Sequence, residues 1–355
     1  MKQKNFLIIL LICLVFLGIY SQLWGQELPQ INVVTVKRIF YNGEHNAFTD
    51  LCLFNGLYYL TFRSCPEGHG IHPSSSIIIL TSKDSKTWRE SFRFHVPERD
   101  TRDPHFLIFN DKLFIYTGTW YCGRYSEPGK YDINQHLGFA VWTEDGNTWQ
   151  GPQLLEGTYG HYIWRAAAYR DKAYLCARRK HAFAELPSRE SDREIMESAM
   201  LESDDGLIWK KCTLFQERNG DETAFLFEQD GSIVAVARRG RGNAELCLAN
   251  RPYQTWKRYD LGLYIGGPLL TKWNDRYLVG GRKREDETYR TALYWLEGNE
   301  LHQCAELPSD GDNSYPGFIE LSANKALLSY YSSHEKDEAG NTITGIYLAE
   351  LLLKH

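Results

Sequence analysis

A basic excess is missing from this chain. Forty Lys and Arg stand against 45 Asp and Glu, a net charge of −5 over 355 residues. With no surplus positive charge to grip a phosphate backbone, nucleic acid is excluded as the expected partner. Paired cysteines are missing too. The eight Cys are scattered, with no C-x-x-C spacing. That excludes a cysteine zinc cluster, and the density is too low for a disulfide framework. Cys52, Cys176 and Cys247 lie in apolar strand-like runs and read as buried thiols, and Cys65 with Cys122 is a candidate bridge. Nor does any apolar run reach the roughly 20 residues of a spanning helix. The longest, Phe6 to Tyr20, follows Lys2 and Lys4 and ends before Ser21. A short basic head before such a run reads as a secretory signal peptide over residues 1–26. The expectation is a secreted or periplasmic chain that is not inserted in a membrane, with residues 27–355 as a single unit.

What is abundant is aromatic: 22 Tyr, 17 Phe and 10 Trp against three Met. Such a bias suits strands, and 43% apolar residues are enough for a core. Three heptads match one another: Ser82 to Trp88, Thr143 to Trp149 and Ser203 to Trp209. Their central Asp84, Asp145 and Asp205 lie 61 and 60 residues apart. In each, Asp and its hydroxyl neighbours bond a tight turn while the Trp plugs beneath it. Thr255-Trp256 is a fourth, degraded copy. Near-equal spacing of one supersecondary unit signals a repeat architecture.

Short strand-like runs split by turn residues recur in six units of about four. Val33–Phe40 is left over to complete the last unit. The expected fold is all-β, a six-bladed β-propeller. Five blades plus an extra sheet is the alternative. Glu185–Ser198 has helix-like charge spacing and reads as an insertion in the third unit.

Chemistry in a propeller gathers where inner strands begin and second strands end. Arg63, Arg178, Arg238 and Arg282 all follow second-strand runs, and convergent guanidiniums suit a carboxylate or sulfate. Glu222 opens the fourth unit and Tyr315 the sixth. The first unit carries His45, Asp50, His69 and His72. The second opens on Arg102, Asp103 and His105, the third on His161 and Arg165. Trp120, Tyr121 and Trp164 are candidates for stacking on sugar faces. His69-x-x-His72 with His45 offers a zinc set, but no strand or helix register puts them on one face, so no metal or other cofactor is expected.

The heptads and the order Glu222, Arg238, Arg282, Tyr315 resemble the sialidase superfamily of propellers. The resemblance spans nearly all of the chain after residue 26. It implies that Tyr315 is a nucleophile with Glu222 as its base, and that Arg238 and Arg282 bind a substrate carboxylate. Arg63 is similar to a further arginine of that family. A Tyr nucleophile is an exception to the two-carboxylate scheme of glycosidases. The first unit departs from the family. Glu44 to Asp50 lacks the third carboxylate-binding arginine, and the loop Glu67 to His72 lacks the acid Asp. The resulting expectation is an exo-glycoside hydrolase on a sialic, ulosonic or uronic acid of a glycan. Tyr315, Glu222, Asp50, His72 and His45 are its catalytic candidates, with His69 as another proton donor. Arg63, Arg238, Arg282, Arg102, Asp103, His105, His161, Arg165 and Tyr121 are its substrate-binding candidates. A polysaccharide lyase using His and Tyr, or a non-catalytic glycan-binding propeller, are the alternatives.

Overall fold

The computed structural model describes residues 28–127, 129–184 and 193–354. The expected signal peptide, and the insertion as far as residue 192, lie outside the described residues. Six four-stranded antiparallel sheets stand in a ring as a six-bladed propeller. Blade 1 comprises His45–Phe54, Leu57–Cys65, Ser76–Ser82 and Arg89–Phe94 from the axis outward. Blade 2 comprises Arg99–Phe109, Lys112–Tyr121, Leu137–Thr143 and Gln150–Leu154. Blade 3 follows with Tyr162–Tyr169, Lys172–Lys180, Met196–Ser203 and Lys210–Gln216. Its third strand begins at Met196, which corrects the helical reading at the end of the insertion.

Blade 4 is Thr223–Phe227, Ile233–Arg239, Gly242–Ala249 and Trp256–Asp260, and blade 5 is Gly266–Trp273, Arg276–Glu285, Thr288–Glu297 and Glu300–Leu307. Blade 6 mixes the two ends of the chain. Asn313–Ser322, Lys325–Lys336 and Thr342–Lys354 are joined by Gln30–Phe40 on the outside. This closure puts the leftover N-terminal strand where the sequence pattern assigns it. It also ties the last blade to the first, since the strand leads directly into blade 1.

The three heptad turns link third and fourth strands of blades 1, 2 and 3. In each, one Asp oxygen accepts two backbone N–H groups: Lys86 and Thr87 on Asp84, Asn147 and Thr148 on Asp145, Leu207 and Ile208 on Asp205, all at 2.7–2.9 Å. Those bonds hold the Asp84 carboxyl down at about 2. Thr255-Trp256 occupies the corresponding link of blade 4. Because third strands run parallel to inner strands, these turns lie on the face opposite the inner-strand starts. The Cys65–Cys122 bridge is not formed. Both are free thiols, and buried Cys65 faces the Ser74 hydroxyl at 3.7 Å.

Inner strands share one irregularity. In five of them the pairing with the second strand skips a residue: at Ala47/Asp50, Arg102/His105, Ile163/Ala166, Gly266/Leu269 and Ser314/Gly317. A β-bulge re-aims the side chain it carries. Phe48, Asp103, Gly267 and Tyr315 occupy equivalent bulge positions, all with φ between 51° and 63°. Residues on this face therefore turn toward the axis instead of alternating.

Candidate functional site

Tyr315 sits at the bulge of blade 6, buried, and its hydroxyl donates to Glu222 Oε1 at 2.6 Å. Glu222 stands at the head of blade 4. Its Oε2 accepts from Arg238 Nη1 at 2.9 Å and from the Gly267 N–H at 3.1 Å. Gly267 is required there, since a Cβ would lie 2.6 Å from the Tyr315 ring. Burial alone would raise the Glu222 carboxyl. The Arg238 charge, the Tyr315 hydrogen bond and Arg178 outweigh it and hold the group ionised. Burial and the Glu222 charge push Tyr315 far above the ordinary phenol value, so it is a neutral phenol facing a carboxylate.

Asp103 sits at the equivalent bulge of blade 2. One oxygen accepts the Tyr162 hydroxyl, and the other is buried without a partner. Burial, then the Glu222 charge, push its carboxyl up to about 6. Two carboxyls driven in opposite directions by their surroundings divide into a base and an acid.

Three guanidiniums reach this space, with side chains 21, 21 and 16% exposed: Arg178, Arg238 and Arg282. Arg178 pairs with Asp221, Arg238 with Glu222 and, at 3.4 Å, with Asp221, and Arg282 with Asp312 at 3.0 Å. Arg282 also lies over the Tyr315 ring, 5.7 Å from its centroid. Farther down the axis, Asp50 and Arg165 line the channel together with Leu51, Phe106, Ala224, Phe225, Leu269 and Phe318.

No family model matches the chain, and no curated protein matches its sequence. Solved structures do match. A protein of unknown function from Dyadobacter fermentans is 20% identical, with a TM-score of 0.73 over 92% of this chain and 100% of that one. Trypanosoma rangeli sialidase is 12% identical, with a TM-score of 0.64 over 91% of this chain and 60% of that one. The NanB sialidase of Streptococcus pneumoniae, as its K499G mutant, is 12% identical, with a TM-score of 0.63 over 89% and 71%. The fold is sialidase-like. This chain spans little more than half the length of the Trypanosoma sialidases it matches.

Within the sialidase-like frame, Tyr315, Glu222, Arg238, Arg282, Arg178 and Asp103 come together, and other expected residues do not. Arg63 is fully enclosed. It pairs with Asp100 at 2.9 Å and donates to the carbonyls of Gly68 and Gly70. Arg102 pairs with the same Asp100 and donates to the carbonyls of His69 and Gly70. Both arginines hold the 66–72 loop, so neither is free to clamp a substrate. Asp50 is corrected as a catalytic candidate. Its oxygens accept from the Leu51 and Phe106 N–H groups and from Arg165, with His105 at 3.3 Å. Arg165 in turn donates to the carbonyls of Pro268 and Pro316, tying blade 3 to blades 5 and 6. Asp50, His105 and Arg165 are therefore an axial brace joining blades.

His161 is buried beside Arg179, Lys211 and Glu197, and Arg99 lies over the Tyr121 ring, 5.7 Å from its centroid, where the second strand of blade 2 ends. His72 turns to Ser74 at 2.7 Å. His45 and His69 share Asp312 instead, at 2.9 and 2.6 Å from its Oδ2. Trp120 packs on the buried His136 and Trp164 on His105, each as an edge contact. Phe48 takes the bulge position of blade 1, with its ring 4.9 Å from that of Tyr315. It fills the place where the family resemblance leads one to expect an arginine.

Sequence reasoning missed Asp100, Asp221, Asp312, Tyr162 and Tyr331. Asp221 precedes Glu222, and Asp312 lies three residues before Tyr315. A search for acids just ahead of unit starts would have found both.

Proposed function

We propose that this protein is an exo-acting glycoside hydrolase for a terminal sugar bearing a carboxylate, exported by its N-terminal segment. The observation that carries this is the 2.6 Å contact between Tyr315 and Glu222, with Arg238 bound to Glu222 and Arg282 over the Tyr315 ring. It is supported by the sialidase-like fold, which includes a Trypanosoma rangeli sialidase bound to sialic acid.

In the proposed reaction Arg178, Arg238 and Arg282 take the sugar carboxylate. The Tyr315 oxygen attacks the anomeric carbon as its proton passes to Glu222. Asp103, protonated below about pH 6, gives its proton to the departing glycosidic oxygen. Water then cleaves the tyrosyl–sugar bond, losing its proton to Asp103, and Glu222 returns its proton to Tyr315. A phenol suits this role because an anionic nucleophile would be repelled by the substrate carboxylate.

The test is incubation with sialylated and uronate-containing glycans, reading free acidic sugar and near-ultraviolet absorbance together. Free sugar without new absorbance is expected, falling by at least about 10³-fold in Tyr315→Phe while substrate binding persists. A rise in absorbance would show an elimination product and make the protein a lyase. Binding without product would make it a glycan-binding propeller.

A further inference from the structure

Beside the proposed catalytic pair, the structure gathers a second set of side chains that this chemistry leaves unused. His45 Nε2, His69 Nδ1 and an oxygen of Asp312 lie within 4.8 Å of one another. They come from the first strand of blade 1, the 66–72 loop and the segment leading into blade 6. Two imidazole nitrogens aim at the same carboxylate oxygen, Oδ2. We infer that His45, His69 and Asp312 form a binding site for a divalent first-row transition cation, with Zn²⁺ the best fit to two imidazoles and one carboxylate.

Each ligand is already held by its surroundings. The other Asp312 oxygen accepts from Arg282 at 3.0 Å and from the Tyr331 hydroxyl at 2.8 Å, which fixes the carboxylate plane. Such outer partners are what orient metal ligands. The loop bearing His69 is pinned by Arg63 and Arg102 through the carbonyls of Gly68, His69 and Gly70. That use explains two buried arginines which the carboxylate clamp does not employ. The His45 side chain is only 10% exposed, and its Nδ1 is buried without a partner. The His69 side chain is 54% exposed, so the site opens to solvent on that side. Rotation of this ring brings the donors toward the ~3.3 Å separations that a tetrahedral ion with bonds of about 2.0–2.1 Å needs.

Three protein ligands leave a fourth position open. Phe48 stands between His69 and Tyr315, with ring centroids at 5.6 and 4.9 Å. An ion here is one aromatic ring from the phenol and shares Asp312 with Arg282. Its open position is therefore available to an oxygen of the same acidic ligand. The Arg282 charge opposes the ion, and each imidazole binds it through a nitrogen that carries no proton.

The test is calorimetric titration of chelator-treated full protein with Zn²⁺, and with Co²⁺ to read visible absorption bands. One equivalent is expected to bind. Affinity should fall at least about tenfold in His69→Ala and in Asp312→Ala, and stay unchanged in His72→Ala. Asp312→Ala also frees Arg282, so circular dichroism on each variant checks that the fold is kept. His69→Ala, at a half-exposed ring, decides the matter alone. Absence of saturable one-to-one binding, or equal affinity in His69→Ala, would overturn the site. The readout is binding without turnover, so it stands or falls apart from the proposed hydrolysis.

Discussion

Asp103 shows how one residue's surroundings assign its role. The carboxyl is buried and Glu222 lies close enough to repel its charge, and these outweigh the Arg102 charge, the Tyr162 hydrogen bond and Arg178, which favour the anion. It stays protonated up to about pH 6. As a proton donor it works in that form, so kcat/KM should fall as pH rises through this value. Asp103→Asn keeps the shape and removes the proton. The expected result on a glycan substrate is loss of that alkaline limb with a drop of about 10²–10⁴-fold. An activated aryl glycoside, whose leaving group needs no proton, should lose far less. Equal losses on both substrates would assign Asp103 to binding. The residue was legible in the sequence as a unit-start acid, but its role was not. The role depends on burial beside Glu222, which is 119 residues away along the chain and is brought near only by ring closure.

The heptad turns were the most legible elements, because every bond they need is local. One Asp oxygen collects the same two N–H groups in all three copies. The strands between them were legible for the same reason, from turn residues and apolar runs. The inner-strand bulges were not. A bulge is set by pairing with a neighbour, and it turns Phe48, Asp103 and Tyr315 to one place without leaving any pattern along the chain. Local likeness also hides differences in packing. Trp209 is 3% exposed and meets the Tyr116 ring edge-on at 5.5 Å, whereas Trp88 is only partly buried. Trp209→Ala should therefore cost about 3–5 kcal/mol, and Trp88→Ala clearly less, in urea unfolding monitored by far-ultraviolet dichroism. Equal costs would mean that the turn itself, and not the packing beneath it, carries the stability.

At the scale of the whole ring, stability depends on keeping imidazoles neutral between the blades. His105 is buried against Trp164 and held down to about 4, first by burial and then by the Arg165 charge. His161 is held down to about 4 by burial and Arg179. His136 is fully buried and is also held well below the ordinary value, first by burial and then by the Arg178 charge. In the unfolded chain each returns to an ordinary 6.5. Between pH 6.5 and about 4 the unfolded chain takes up protons that the folded ring refuses, so stability falls as pH falls. Asp103 works the other way. Its folded value of about 6 lies above the ordinary 3.8, so the folded ring gains a proton there that the unfolded chain does not. These imidazoles outnumber the one opposing carboxyl, so acid destabilises the ring, read as a urea midpoint that falls between pH 7.5 and 4.5. His105→Gln removes one of the three imidazoles, and its midpoint should depend less steeply on pH than that of the unsubstituted protein. A flat midpoint for the unsubstituted protein over this interval would mean that these imidazoles keep ordinary values in the folded ring. The blades would then have to open enough to hydrate them.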